Sequence, residues 1–223
     1  MLAESLEINP FPNLTTPYHL GKGDFLPSSY TPKGGTLRAT EVLDCPRKLA
    51  YHYHAQPREN VPQDPSFALK LREGNDQESL VLDTLYAAGA GLSNYQEQVS
   101  TIAGRVRIVG RIDALHAETQ TVIEIKTLED DGSLFGLSGP GKNHRAQVEV
   151  YMRGLGMPRA SILYKSRATG QVRQFDLHAD NALWREIIER LLPIAHSKSP
   201  EEIPRAMNPF CPRCPFKSRC WES

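Results

Sequence analysis

The spacing of apolar residues changes along the chain, and those changes mark its elements. In TVIEIKT, residues 121–127, Thr121, Val122, Ile123, Ile125 and Thr127 are β-branched and predict a strand, which Glu124 and Lys126 interrupt. Side chains two apart in a strand share a face. Glu124 and Lys126 therefore project together, and Ile123 and Ile125 project to the other side. Strand patterns also occupy about 95–102, 105–116, 161–166 (SILYKS) and 171–177 (QVRQFDL). Helical spacing covers 67–88, where Leu71, Gly74, Glu78, Val81, Leu82 and Leu85 fall near one face. It returns over 143–156, which stops at a glycine, and over 180–197.

Residues 36–54 read as two helical pieces, with Pro46 breaking the run just after Cys45. Residues 55–66 and 128–141 read as loops. Residues 1–35, rich in Pro, Gly, Ser and Thr, read as an irregular arm. The order predicts an α/β domain over 36–200, built on one central mixed sheet flanked by helices, with Trp184 and Phe175 packed under it. A Cys-rich tail, 201–223, completes the chain.

Composition changes this picture little. The 223 residues are 39% hydrophobic and 23% charged, as in an ordinary globular protein, and no run is long enough for a membrane span. The N-terminus lacks a basic flank followed by an apolar stretch, so the expectation is a cytoplasmic protein. A net charge of +0 neither supports nor excludes nucleic acid as a partner, because a neutral total can hide a basic groove. Four cysteines matter more: Cys45, then Cys211, Cys214 and Cys220 in CPRCPFKSRC. In a reducing compartment this spacing favours a metal or cluster site over disulfides.

The candidate chemistry surrounds the opening strand. An isolated Glu-x-Lys is most often a surface ion pair of small energetic value. Here the preceding segment, VRIVGRIDALHA (106–117), carries Asp113, and a short turn at 117–120 leads back into Glu124. An antiparallel pair would bring Asp113, Glu124 and Lys126 to one end of the sheet. Converging carboxylates repel unless a cation intervenes, and a hard divalent metal suits oxygen ligands. A lysine beside them is placed to orient a water or to stabilise charge on a phosphate.

Asp113, ten residues, then Glu124-Ile125-Lys126 resembles the PD-(D/E)XK nuclease signature, with Ile112 in place of its proline. Gln147 and Tyr151, four apart on a predicted helix face, resemble the Gln-x-x-x-Tyr motif of the RecB-like branch. Gly74 followed by Glu78 resembles that branch's Gly-x-x-x-His, with an acid in the histidine's place. Cys45 in LDCPRK, followed by three C-terminal cysteines, resembles the iron–sulfur members, which include CRISPR-associated exonucleases and AddB-type nuclease domains.

The resemblance implies a restriction-endonuclease-like core and a metal-dependent deoxyribonuclease. The expected activity is exonucleolytic on single-stranded DNA ends, in CRISPR spacer acquisition, recombination or repair. Asp113, Glu124, the Ile125 carbonyl and Glu78 would hold Mg²⁺ or Mn²⁺. Lys126 would position the attacking water. Gln147 and Tyr151 would bind the DNA backbone or hold the lysine. Cys45, Cys211, Cys214 and Cys220 would ligate a [4Fe–4S] cluster, although four thiolates also form a zinc set. A CRISPR integrase or other recombination proteins are the implied partners. Three other readings stay open: Glu78 as a helix-surface acid, Gln147 and Tyr151 as an ordinary polar and core edge, and the whole chain as an inactive or zinc-stabilised DNA-binding subunit. Five of the seven histidines, His52, His54, His116, His144 and His178, show no usable ligand spacing.

Overall fold

The computed structural model describes residues 34–59 and 65–221, apart from the side chain of Phe67. The arm expected over 1–35 lies outside these residues except for Gly34 and Gly35. The strands are β1 (Thr36–Arg38), β2 (Leu92–Ser93), β3 (Gln98–Ala103), β4 (Val106–Arg111), β5 (Ala114–His116), β6 (Thr121–Leu128), β7 (Arg159–Ser166) and β8 (Val172–His178). The helices are α1 (Pro46–Tyr53), α2 (Pro65–Ala87), α3 (Asp131–Phe135), α4 (Lys142–Leu155), α5 (Asn181–His196) and α6 (Lys217–Trp221). The fold is α/β, as expected, with mixed sheets flanked by helices. No described helix is long and apolar enough to cross a membrane.

Two sheets replace the single one expected. One has the order β1-β4-β3 and the other β2-β5-β6-β7-β8. The segment 105–116 is not one strand, because its ladder breaks at Ile112 and Asp113. Upstream of the break, β4 pairs antiparallel with β3. Downstream, β5 pairs antiparallel with β6. The break frees the Asp113 side chain from the ladder's alternation and lets it turn toward β6. Its Oδ2 accepts the backbone N–H of Ile125 at 2.6 Å.

The segment 36–54 also departs from expectation. Its first part pairs in parallel with β4 as β1, through Thr36↔Arg107 to Arg38↔Val109. Pro46 does not break a helix but starts one, at a position where its missing N–H has no intrahelical partner to lose. The loop 128–141 contains α3, begun by Asp130, whose side chain accepts the Ser133 N–H at 2.7 Å. Helices α2, α4 and α5 lie close to their predicted spans. Gly156 ends α4 at φ 67°, a left-handed value that suits glycine.

Strand β6 occupies the middle of the five-stranded sheet, parallel to β7 and antiparallel to β5. It is buried on both faces rather than half-buried. Ile123 and Ile125 pack with Val81 and Leu82 of α2 and Leu163 of β7. On the opposite face, Val122 joins Ile162, Tyr164, Val148 and Tyr151 in the main core. Phe175 and Trp184 pack against that core. Of the residues read on one face of α2, Val81 and Leu82 are buried, whereas Leu71, near the start of the helix, is 51% exposed.

Candidate active site

Glu124 and Lys126 share one face of β6, the face turned toward α4. Glu124 is 1% exposed, which excludes a surface ion pair. Its Oε1 accepts hydrogen bonds from Lys126 Nζ and from Gln147 Nε2, the latter at 2.6 Å. Its Oε2 is buried with no hydrogen-bond partner in the structure. A buried carboxylate oxygen left bare is costly and marks a place where a cation or a water completes the site.

Asp113 is also buried. Burial pushes its carboxyl well above the usual range, the charges of Glu124 and Glu78 push it further, and the Ile125 N–H only partly offsets them. Carboxylates close enough to raise one another repel unless one holds a proton or a cation intervenes. Glu124 is raised as well: burial and Glu78 outweigh Lys126 and Gln147, which act to lower it.

Lys126 answers this negative field. Burial pulls its pKa down, but Glu124, Asp113 and Glu78 more than compensate and hold the ammonium above its ordinary value. The lysine is charged, and with 24% of its side chain exposed it is the member of the pair that reaches solvent.

Glu78 reaches the site from α2, where Gly74, one turn earlier, brings the helix against Thr127 of β6. Gln96 Nε2 donates to Glu78 Oε1 at 3.1 Å. The structure thus gathers Glu78, Asp113, Glu124 and Lys126 from three separate elements. The chemistry of this donor set, hard oxygens with one bare, fits a divalent cation. Among the described residues no three His, Cys, Asp or Glu side chains already stand as a closed ligand set.

Gln147 and Tyr151 lie one turn apart on α4 and are both buried. Gln147 Nε2 donates to Glu124 and, at 3.0 Å, to the Tyr151 hydroxyl. The pair therefore holds the Glu124 carboxylate. Burial, then the Glu124 charge, pushes the Tyr151 phenol well above its usual pKa, so it stays neutral. Gly110 of β4 makes room for this ring: a Cβ there would lie 2.4 Å from Tyr151 Cε1.

The sequence reading left Tyr164 unnamed and set His144 aside with the other histidines. Tyr164 of β7 sits opposite Lys126 in the parallel register. Its hydroxyl accepts the Gly141 N–H at 3.3 Å and hydrogen-bonds His144 Nδ1 at 2.7 Å. Burial, with Lys126 close by, pulls His144 down to about 4, so the imidazole is neutral at pH 7. The signal was available only as register, since β6 and β7 are far apart in the chain.

The tail returns to α1. Phe216 is fully buried, stacked on Tyr51 at 4.9 Å and edge-on to His52 at 5.1 Å. All four cysteines are free thiols. Burial raises Cys214, and Cys45 and Cys220 add to the rise. Burial likewise raises Cys220, with contributions from Cys45 and Cys211. Among the described residues these cysteines do not stand as a group placed to hold a metal ion.

Comparison with known proteins agrees with this geometry. Residues 70–221 match the family model of the PD-(D/E)XK nuclease superfamily. Among solved structures, SSO0001 is similar at 21% identity and a TM-score of 0.59, over 86% of this chain and 89% of that one. The alkaline exonuclease LHK-Exo from Laribacter hongkongensis is similar at 17% identity and a TM-score of 0.53, over 72% and 86%. A phage-related exonuclease from Haemophilus somnus 129PT is similar at 13% identity and a TM-score of 0.50, over 72% and 91%. No curated protein sequence is significantly similar to the chain.

Proposed function

The chain belongs to the PD-(D/E)XK nuclease superfamily, and from that premise we propose that it is a divalent-metal-dependent deoxyribonuclease acting on the ends of single-stranded DNA. The observation that carries this reading is the Asp113–Glu124–Lys126 group, with both carboxyl groups buried and Glu124 Oε2 lacking a hydrogen-bond partner. Glu78, Asp113, Glu124 and the Ile125 carbonyl would hold Mg²⁺ or Mn²⁺. Such a cation supplies Lewis-acid charge at a phosphate and makes water more acidic.

The protein's own groups have distinct tasks. Lys126 donates one N–H to Glu124 and keeps others for a water or a phosphate oxygen. Gln147 fixes the rotamer of Glu124, and Tyr151 fixes Gln147. His144 and Tyr164 border Lys126 without competing charge, because both are neutral at pH 7. Cys45, Cys211, Cys214 and Cys220 would hold a [4Fe–4S] cluster that fastens the tail, 201–223, to the 36–200 domain. The setting we favour is CRISPR spacer acquisition, recombination or repair, with an integrase or other recombination protein as partner.

End-labelled single-stranded DNA with Mg²⁺ or Mn²⁺ tests the activity. Wild type should release short products, and Lys126→Ala should release none while melting as a folded protein. Cleavage by Lys126→Ala at the wild-type rate would refute the site.

A further inference from the structure

Two phenylalanines six residues apart in the tail have opposite fates. Phe216 is 0% exposed and anchors the tail on α1, whereas Phe210 is 80% exposed. Packing explains the first and not the second. Phe210 is held outward by local structure: its carbonyl accepts the Arg213 N–H at 3.0 Å, and its own N–H donates to Asn208 Oδ1 at 2.9 Å. Pro209 and Pro212 stiffen the chain on either side of it. Met207, 75% exposed, and Trp221, 36% exposed, belong to the same short tail. Arg205 lies over the Trp221 ring at 5.7 Å.

Between the acidic residues Glu201 and Glu202 on one side and Glu222 on the other, the charge of the tail has one sign. Residues 204–221 contain Arg205, Arg213, Lys217 and Arg219 and no Asp or Glu. All four are exposed. Glu59 reaches the tail from outside it, but its carboxylate is taken up by the N–H groups of Ser218 and Arg219 and the Ser218 hydroxyl. Rigid, outward-facing aromatic rings among cations complement a partner with flat apolar faces linked by anions. Unpaired bases joined by phosphates have that chemistry.

We propose that the C-terminal tail is a docking surface for single-stranded nucleic acid, with Phe210 as a stacking platform and Arg213 and Lys217 as phosphate contacts. The proposal rests on the nuclease reading above and places part of its substrate path on the tail. A duplex, whose bases are already stacked on each other, offers Phe210 nothing except at a frayed end.

The test uses the full chain carrying Lys126→Ala, so that the probe survives, and a fluorescent oligothymidylate followed by anisotropy across a salt series. Adding Phe210→Ala should weaken binding by about tenfold, within the range for one base–aromatic stack, and Phe210→Tyr should bind within about twofold of the parent. Because Phe210 is 80% exposed, these changes should leave the fold intact, which a melting curve checks. Adding Arg213→Ser and Lys217→Ser together should lower the slope of log affinity against log salt by about 1.4, from about 0.7 per phosphate on single strands.

Parent-level affinity in Phe210→Ala, or an unchanged salt slope in the double variant, overturns the platform while leaving the nuclease intact. A change in oligomeric mass on Phe210→Ala with unchanged affinity also overturns it, and assigns the surface to a second copy of the chain. Failure of the parent to bind the probe at any salt removes both the platform and the substrate reading.

Discussion

Replacing Asp113 with asparagine should stabilise the metal-free protein at neutral pH while abolishing cleavage. The side chain keeps its shape and an acceptor for the Ile125 N–H, but it loses the charge that burial, Glu124 and Glu78 oppose. In the unfolded chain Asp113 titrates near its ordinary value. In the native state its pKa is raised, so the native protein holds the proton longer. Stability from this group is therefore fully present below the unfolded pKa and is lost as pH rises through the folded one. Each unit of the rise corresponds to about 1.4 kcal/mol. For a chain of this size that is about 3–6 °C in melting temperature.

The assay is a melting curve for wild type and Asp113→Asn in a chelator, from about pH 4 to pH 8. Near pH 4 the two should differ by a small offset, which absorbs the exchange of a carboxyl for an amide. The variant should then gain on wild type with rising pH, by several degrees, and level off above the folded pKa. Adding Mg²⁺ should raise the wild-type melting temperature and close part of the gap, because ligand binding stabilises only the native state of a protein that can bind it. A gap that stays constant with pH would refute the argument, since it would mean that Asp113 is not strained by charge in the native fold.

Gly110→Ala should destabilise the fold by about 1–3 kcal/mol, read from urea unfolding, because its Cβ would fall 2.4 Å from Tyr151 Cε1 and 3.0 Å from Ala39 Cβ. It should also slow cleavage, through displacement of Tyr151 and then Gln147. Cys45→Ala or Cys214→Ala should lose bound iron and melt earlier, whereas Asp113→Ala should keep its full iron content. Iron and sulfide per chain, measured with a melting curve, check this, and zinc in place of iron would reassign the four thiols.

Where the sequence was legible, one period dominated. Helices α4 and α5 have clear amphipathic spacing and end signals, Gly156 for one and the Asp180 cap for the other, and both were readable. The segment 105–116 was not. Its apolar residues run on through Ile108, Val109 and Ile112 to Ala114 and Leu115, all buried, so the apolar pattern shows no gap where the ladder stops. The break is set by two different partners, β3 before it and β6 after it, and pairing partners are tertiary information. The same holds for β1, whose three residues carry too little pattern to oppose a helical reading and are fixed by pairing with β4.

The site divides along similar lines. Glu124 and Lys126 sharing a face follows from the period of two alone. That this face is buried does not, because a central strand and an edge strand can carry the same two charges, and only the neighbours β5 and β7 decide between them. The break at Asp113 links the two halves of the problem. A continuous strand from 105 to 116 would fix the Asp113 side chain by the alternation of its neighbours. Ending one sheet and starting another at that residue releases it, so that it caps the Ile125 N–H and faces Glu78 and Glu124 at once. The feature hardest to read from the pattern is therefore the one that assembles the carboxylates. The repulsion stored there is what an incoming cation would relieve.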